Sequence, residues 1–416
     1  MTKKCLLPFL MLFLHIAVMA QSIETDPMVG GLQKELQYNF SQLKKQQPAG
    51  AYFMSLRMAD EFVVNITSDF GVSSINEQHE RTVTPQVRLG SMEFDNFKYV
   101  NQGTSDPNGR NARGVNVPLN GKPLQAIREA IWQETLKRFR IAQTNYNNAK
   151  SRSMTSAENE DKAPCFSAAP VEKYYQQELP ASAYNVDKKG WAEKLNAVTK
   201  VFKEDGKLES GNATITFTII RTWYVNSEGT VTVQNRQTVR VMLSASIKAV
   251  DGMSCPLFQD FFGYTDDQLP DLNVLTETAR DMTKRLHALA NAPIVDPYTG
   301  PAILSGPASG VFFHEIFGHR LEGHRLKTGG ETFKKKVNER VLPESFNVYC
   351  DPTLSTYAGT ILNGHYVYDD EGVKARRVDN VVNGVLKNFL MSRVPIDGFP
   401  QSNGHGRTRG GNDPVS

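Results

Sequence analysis

Cysteine is scarce in this chain: four residues in 416, at positions 5, 165, 255 and 350. No two of them have the C-x-x-C spacing of a zinc ribbon or a dithiol redox centre. An excess of charge of one sign is also missing. Lys and Arg number 47 against 44 Asp and Glu, and discounting Lys3 and Lys4, which fall in the leader described next, leaves 45 against 44. So even a balance speaks against a nucleic-acid partner. Past residue 20 no segment resembles a membrane-spanning helix, which needs ~20 predominantly apolar residues, and no repeat of 20 to 50 residues is present. What is there is ordinary globular composition, 40% hydrophobic, 22% charged and 9% aromatic, and enough chain for two or three domains at roughly 150 residues each.

Residues 1–20, MTKKCLLPFLMLFLHIAVMA, place two lysines before an apolar run from Leu6 to Met19 and small residues around Ala20. This is the order of a signal peptide. The run is short for a span and holds Pro8 and His15; an anchor retained after export is the alternative. The chain is therefore expected to be exported, periplasmic or extracellular, with no stable membrane span after cleavage. Cys5 precedes the apolar run rather than closing it, which argues against lipid attachment. Export permits disulfides, but Cys165, Cys255 and Cys350 allow at most one bridge and read as buried small hydrophobes.

Leu32, Leu36, Phe40 and Leu43 share one helical face. Strand patterns follow at Tyr52–Arg57, Phe62–Ile66 and Thr82–Gly90, then a loop at Gly103–Arg113. A second helix is predicted from near Pro123 to about Tyr146, and Asn147–Lys162 as a polar linker. Trp191, Leu195, Val198 and Phe202 mark a third helix. From Thr214 the period changes to two, through the turns Asn226-Ser227-Glu228-Gly229 and Asp251-Gly252, which predicts long antiparallel hairpins. Leu272, Leu275, Ala279 and Leu286 mark a fourth helix, and Pro301–Gly306 a short strand. The fold class is α+β: after the leader (1–20), a mixed N-terminal domain (21–120), a helix-plus-hairpin domain (121–292) and a C-terminal domain (293–416).

Three of the eight histidines, His314, His319 and His324, lie within eleven positions in GVFFHEIFGHRLEGH. A catalytic zinc needs neutral imidazoles and an open position, together with a carboxylate that takes a proton from the attacking water. His314 and His319 supply two nitrogens, and Glu315 the base. Ligands spaced i, i+4 on a helix stand ~40° apart, but the i, i+5 spacing here puts them ~140° apart on an ideal α-helix. Either a π-bulge separates them or the helix ends at Gly318 and His319 points back from the next turn. Val311, Phe312, Phe313, Ile316 and Phe317 are expected to bury the segment and partly desolvate Glu315. A buried helix whose histidines only satisfy hydrogen bonds is the bland alternative.

The sequence resembles the TldD/PmbA metallopeptidases. The resemblance rests on Ala302-Ile303-Leu304-Ser305-Gly306-Pro307, on His314-Glu315-x-x-x-His319 with Leu321-Glu322-Gly323, and on Asn226-Ser227-Glu228-Gly229. It continues through Asp370-Glu371-Gly372-Val373, Asn383-Gly384-Val385-Leu386, Leu390-x-Ser392-Arg393 and Asn403-Gly404-His405-Gly406-Arg407. It implies a zinc-dependent peptidase acting on peptides or unfolded segments in an enclosed cavity. His314 and His319 would be metal ligands, Glu315 the catalytic glutamate, and the C-terminal domain a curved antiparallel sheet. It also implies a homo- or heterodimer, in some cases with a subunit that lacks the metal motif. The family's third ligand is a cysteine beyond the Gly-x-Gly-Arg segment, and no cysteine follows Cys350 here. The expectation is therefore a C-terminally truncated chain with an incomplete sheet, from an exported branch. The alternative function is an inactive truncated or partner subunit that binds peptide without cutting it.

Among other features, Lys334-Lys335-Lys336 reads as a solvated face, Asp369-Asp370-Glu371 as a turn, and His324 as a surface residue, with a spare ligand as the alternative. His365 and His405 are candidates to line the cavity, and His287 is structural.

Overall fold

The computed structural model describes residues 22–47, 49–99, 114–119, 124–154, 161–327 and 331–408. The leader and the Gly103–Arg113 loop lie outside them. No described helix is long and apolar enough to cross a membrane.

Asp26 caps helix α1 (Pro27–Leu43), accepting from the backbone N–H groups of Met28 and Val29. The two strand patterns before residue 70 form one strand, β1 (Ala51–Asp69), hairpinned to β2 (Val72–Leu89). Phe70 and Gly71 make the turn at φ 45° and 89°, the positive pair that lets a two-residue turn follow the twist of the strands. Next come β3 (Val115–Val117), α2 (Leu124–Ser153), β4 (Lys173–Tyr175) and α3 (Lys188–Asp205). Helix α2 outruns the predicted end near Tyr146 because 147–153 holds neither proline nor glycine to stop it and buries Ala149. Strands β5 (Leu208–Asn226), β6 (Val231–Lys248) and β7 (Ser254–Gly263) are the predicted long hairpins, and α4 (Leu272–Ala290) follows. On α4, His287 bonds Asp205 at 2.6 Å, a structural role.

The long strands make one sheet, ordered β3-β2-β1-β5-β6-β4, with β7 also on β6. All pairs are antiparallel except β4 on β6. Strand β1 runs beside β5 from Ser55–Asn226 to Asp69–Asn212, so strands on both sides of the expected 120/121 boundary share a sheet.

Even-numbered side chains of β1 face the helices. Met54, Leu56 and Met58 pack with α1 and α2, while Phe62, Val64 and Ile66 pack with α3 and α4. Each such burial contributes about 1.5–3 kcal/mol. Odd-numbered Arg57, Ala59 and Glu61 face the opposite side, where they line a cavity beneath the C-terminal part of the chain.

That part contains α5 (Gly306–Ile316), α6 (Gly323–Lys327) and α7 (Glu331–Lys334). Its strands are short: β8 (Val348–Cys350), β9 (Thr356–Tyr357), β10 (Thr360–Ile361), β11 (Val378–Val382) and β12 (Val385–Leu386). The extended antiparallel sheet thus lies before residue 264, and the C-terminal part contributes two small sheets, of which β8, β11 and β12 pack on a separate core that includes Phe317, Leu321, Phe389 and Met391. Pro301–Gly306 is not a strand. It has no pairing neighbour among the described residues, and Ile303 is fully exposed. Cys165, Cys255 and Cys350 are all free, the first two buried as expected.

The C-terminal part is clasped to the sheet by polar bonds. The Gln234 amide accepts from the Tyr368 backbone N–H at 2.9 Å and donates to its carbonyl at 3.2 Å. Lys327 and Lys334 converge on Asp161 at 3.3 and 2.8 Å, so the first lysine of the basic run is an anchor and not merely a solvated face. Asp369–Val373 is the predicted turn, with Gly372 at φ 75°. It also turns Asp369 and Glu371 inward, where they are buried: Asp369 accepts from Gly406 N–H at 2.9 Å and Glu371 from Arg393 N–H at 2.6 Å.

Candidate metal centre

Gly306 and Pro307 open α5, and proline suits the first turn because no helical N–H is lost there. The helix ends at Ile316, and Gly318–Arg320 form a turn of 3-10 helix closed by Leu321 N–H on the Gly318 carbonyl at 2.9 Å. Of the two geometries that the i, i+5 spacing allowed, the structure has the early helix end. Two apolar pins explain it. Phe317 and Leu321 are both buried in the C-terminal core, Phe317 against Phe333 at 5.1 Å. With both pins inward, the intervening turn projects His319 back toward α5.

The rings of His314 and His319 are 4.5 Å apart. Glu315 lies between them, with Oε1 3.8 Å from His314 Nε2 and Oε2 3.6 Å from His319 Nε2. One donor atom from each of His314, Glu315 and His319 lies within 4.8 Å of the others, the only such group among the described residues. Imidazole nitrogens are zinc donors, so His314 and His319 fit a metal ion, with the Glu315 carboxylate beside them. Cys350 is not in the group.

The sequence places Glu322 in the Leu321-Glu322-Gly323 motif without giving it a role. Its Oε1 is 2.5 Å from His319 Nδ1, so it accepts from Nδ1–H in the tautomer that leaves the Nε2 lone pair on the Glu315 side, and Arg325 Nη2 lies 3.2 Å from the same nitrogen. A carboxylate behind a ligand histidine fixes its tautomer and ring orientation. Arg325 pairs with Glu322, and His324 Nε2 is 3.8 Å from Glu322 Oε2. A carboxylate three residues after a ligand histidine is the signal that could have found it. His324 itself is buried rather than on the surface, because α6 turns its ring inward toward Glu322.

The expected burial of α5 does not occur. Phe317 is buried, but Val311, Phe312, Phe313 and Ile316 are 64%, 46%, 39% and 43% exposed, and the side chain of Glu315 is 61% exposed. Among the described residues α5 packs on the C-terminal core through the Phe317 that follows its end. His365 lines the cavity beside the sheet. His405 is buried, and burial is the main cause that pulls its pKa below the ordinary value.

Residues 297–416 match the family described as PmbA/TldA metallopeptidase C-terminal domain. A metalloprotease of Archaeoglobus fulgidus is 33% identical over 144 residues, which cover 35% of this chain and 32% of that protein. One from Methanocaldococcus jannaschii is 36% identical over 114 residues, 27% of this chain and 24% of that protein. The matched segments thus span about a third or less of these relatives' length. Among solved structures, TldE from Thermococcus kodakarensis superposes with a TM-score of 0.59 at 15% identity, over 93% of this chain and 76% of that one. A Thermotoga maritima protein described as a candidate modulator of a DNA gyrase gives 0.57 at 13% identity, over 92% and 76%. The solved structures share this α+β fold, and the relatives matched in sequence are named metalloproteases. Residues 297–416 carry the likeness to the PmbA/TldD metallopeptidase C-terminal domain, and the chain shares its fold with TldE.

Proposed function

We propose that the chain is a zinc-dependent peptidase that hydrolyses peptides or unfolded segments, with His314 and His319 as metal ligands and Glu315 as general base. The observation that carries this reading is the convergence of the two imidazoles on either side of the Glu315 carboxylate. When bound, zinc would polarise the scissile carbonyl and acidify water. In this reading the Glu315 carboxylate takes a proton from the attacking water and delivers it to the departing amine. Glu322 orients His319 by holding its Nδ1 proton. The exposed apolar face of α5 supports a dimer in which a second copy or a related subunit covers the site, because closing a site strengthens the electrostatic interactions inside it. The leader pattern of residues 1–20 supports export.

The test is zinc content per chain together with hydrolysis of unstructured peptides. Wild type should hold zinc stoichiometrically, His314→Ala should lose it, and Glu315→Gln should keep it while losing about 10²–10⁴-fold in rate. Full activity in Glu315→Gln would overturn the mechanism. The presence of only two imidazoles in the group favours a second reading, a non-catalytic subunit that binds peptide. Wild type without zinc, alone and in a dimer, would select that reading.

A further inference from the structure

Helices α1 and α2 carry a charge that the rest of the chain does not. Residues 22–47 and 124–154, which hold them, contain nine Lys and Arg against five Asp and Glu, whereas the whole chain is nearly balanced at 47 against 44. Burial sharpens the difference. Asp26, Glu35 and Glu134 are buried, Asp26 accepting from the indole N–H of Trp223, Glu35 pairing with Arg128 and Glu134 with Arg138. Of the acidic residues only Glu24 and Glu129 stay exposed, against eight of the nine bases. Among the described residues, Lys34, Lys44, Lys45, Arg140 and Lys150 form no ion pair.

Both helices pack on the same face of the sheet and meet each other at the Arg128–Glu35 pair, so their outer sides look the same way. At ~100° per residue Lys34 stands opposite Leu32 and Leu36, and Arg140 opposite Ile131; all three apolar residues are buried. Helix α2 has 30 residues, which makes the basic surface about 45 Å long at 1.5 Å per residue.

Large apolar groups stand in water among these bases. Tyr38 is 58% exposed, Trp132 is 45% exposed, and Met154 is exposed at the end of α2. A nucleic-acid duplex would engage the charges through its phosphates and leave the rings in water. A lipid bilayer uses both: Trp and Tyr rings sit at headgroup depth, and Lys and Arg lay their stems along apolar surface with the charge held outward. Anionic headgroups add attraction for each Lys or Arg near the surface. The C-terminal part, which includes the histidine pair, roofs the other face of the sheet, so a surface that covers α1 and α2 leaves it open.

We propose that the outer face of α1 and α2 docks on a membrane surface rich in anionic phospholipid, through Lys34, Lys44, Lys45, Arg140 and Lys150, with Tyr38 and Trp132 seated among the headgroups. This surface is separate from the metal centre and does not depend on the peptidase reading.

Flotation with vesicles tests it, using the full chain and the chain begun at Gln21, the form that leader cleavage leaves. The vesicles are phosphatidylcholine alone, or phosphatidylcholine with about one third phosphatidylglycerol. Both forms should bind the anionic vesicles about tenfold or more tighter than the neutral ones, and high salt should erase the difference. Lys34→Glu with Lys45→Glu and Arg140→Glu should lose the preference while circular dichroism stays unchanged; Lys34→Gln with Arg140→Gln makes the same comparison without reversing charge. Trp191 and Trp223 are buried, so the fluorescence blue shift on binding should vanish in Trp132→Phe. Equal binding of the Gln21 form to neutral vesicles, no binding to either kind, or a preference unchanged by these substitutions would overturn the proposal. A preference confined to the full chain would belong to the leader and would do the same, as would duplex DNA bound as tightly as the anionic vesicles at equal salt.

Discussion

Glu228, in the turn between β5 and β6, and Arg393, 165 residues later, form a two-pronged ion pair with nitrogen–oxygen distances of 2.7 and 2.8 Å. Arg393 is fully buried. It also donates to the Ser167 carbonyl at 2.6 and 2.9 Å and lies 4.0 Å over the ring of Phe166, whose ring also stands 3.9 Å from the Arg88 guanidinium. The pair thus ties the tip of the long hairpin to the C-terminal part through a planar, bidentate contact that lysine could not reproduce.

Arg393→Met should cost about 3–5 kcal/mol, because it strands the Glu228 carboxylate and the Ser167 carbonyl. Glu228→Gln, which keeps an acceptor, should cost less, about 1–3 kcal/mol. Urea unfolding followed by circular dichroism measures both. A loss below 1 kcal/mol in Arg393→Met would show that the tie contributes little.

Glu322→Ala should weaken zinc binding about 10–100-fold by freeing the His319 ring. Competition against a chromogenic chelator reads this directly. Unchanged affinity would mean that the Phe317 and Leu321 pins alone orient His319.

Two buried aspartates should make stability depend on pH in opposite senses. Burial pushes Asp161 up, but Lys334, Lys327 and backbone N–H groups outweigh it and hold the carboxyl below its ordinary 3.8. Its contribution is complete above that value and is lost as pH falls through the lower folded-state pKa. Asp369 is raised well above 3.8, by burial first and the Glu371 charge second. The folded state there binds the proton more tightly than the unfolded chain, so stability falls as pH rises from about 3.8 through the folded-state value. Unfolding free energy against pH should lose its acid-side drop in Asp161→Asn, at a cost of about 3–5 kcal/mol at neutral pH for the broken buried pair. In Asp369→Asn the decline on raising pH should be gone.

If α5 is an association surface, Phe312→Glu with Ile316→Glu should convert a concentration-dependent dimer into a monomer, as read by sedimentation velocity. A wild type that stays monomeric at high concentration would remove the dimer from the proposed function.

Where one period dominated, the sequence was legible. The face of Trp191, Leu195, Val198 and Phe202 became α3 with all four buried, and the alternation after Thr214 became β5 and β6. Within the site, the spacing of His314 and His319 narrowed the backbone to two geometries, and it took the burial of Phe317 and Leu321 to choose between them. Elsewhere a local pattern had no way to show its partner. The apolar residues of α5 were read as core because apolar spacing marks a face to be covered, without saying whether the cover comes from the same chain. That β1 pairs with β5 was equally hidden, since edge hydrogen bonds leave no trace in either strand's alternation. The Glu228 and Arg393 motifs were both noticed, but no feature of either one announced the other.

The pairing of β1 with β5 constrains how the protein can be made. Hairpin β1–β2 is complete once residue 89 has emerged, but the other edge of β1 must wait for residues 212–226. At 5–20 residues per second, that is roughly 6–30 s of synthesis. Throughout that interval a strand of 19 residues presents unpaired backbone groups beside a half-covered apolar face, a template for pairing with the wrong chain. Substitutions that slow the closure of β5 onto β1 should therefore lower the yield of soluble protein even when the finished fold is no less stable.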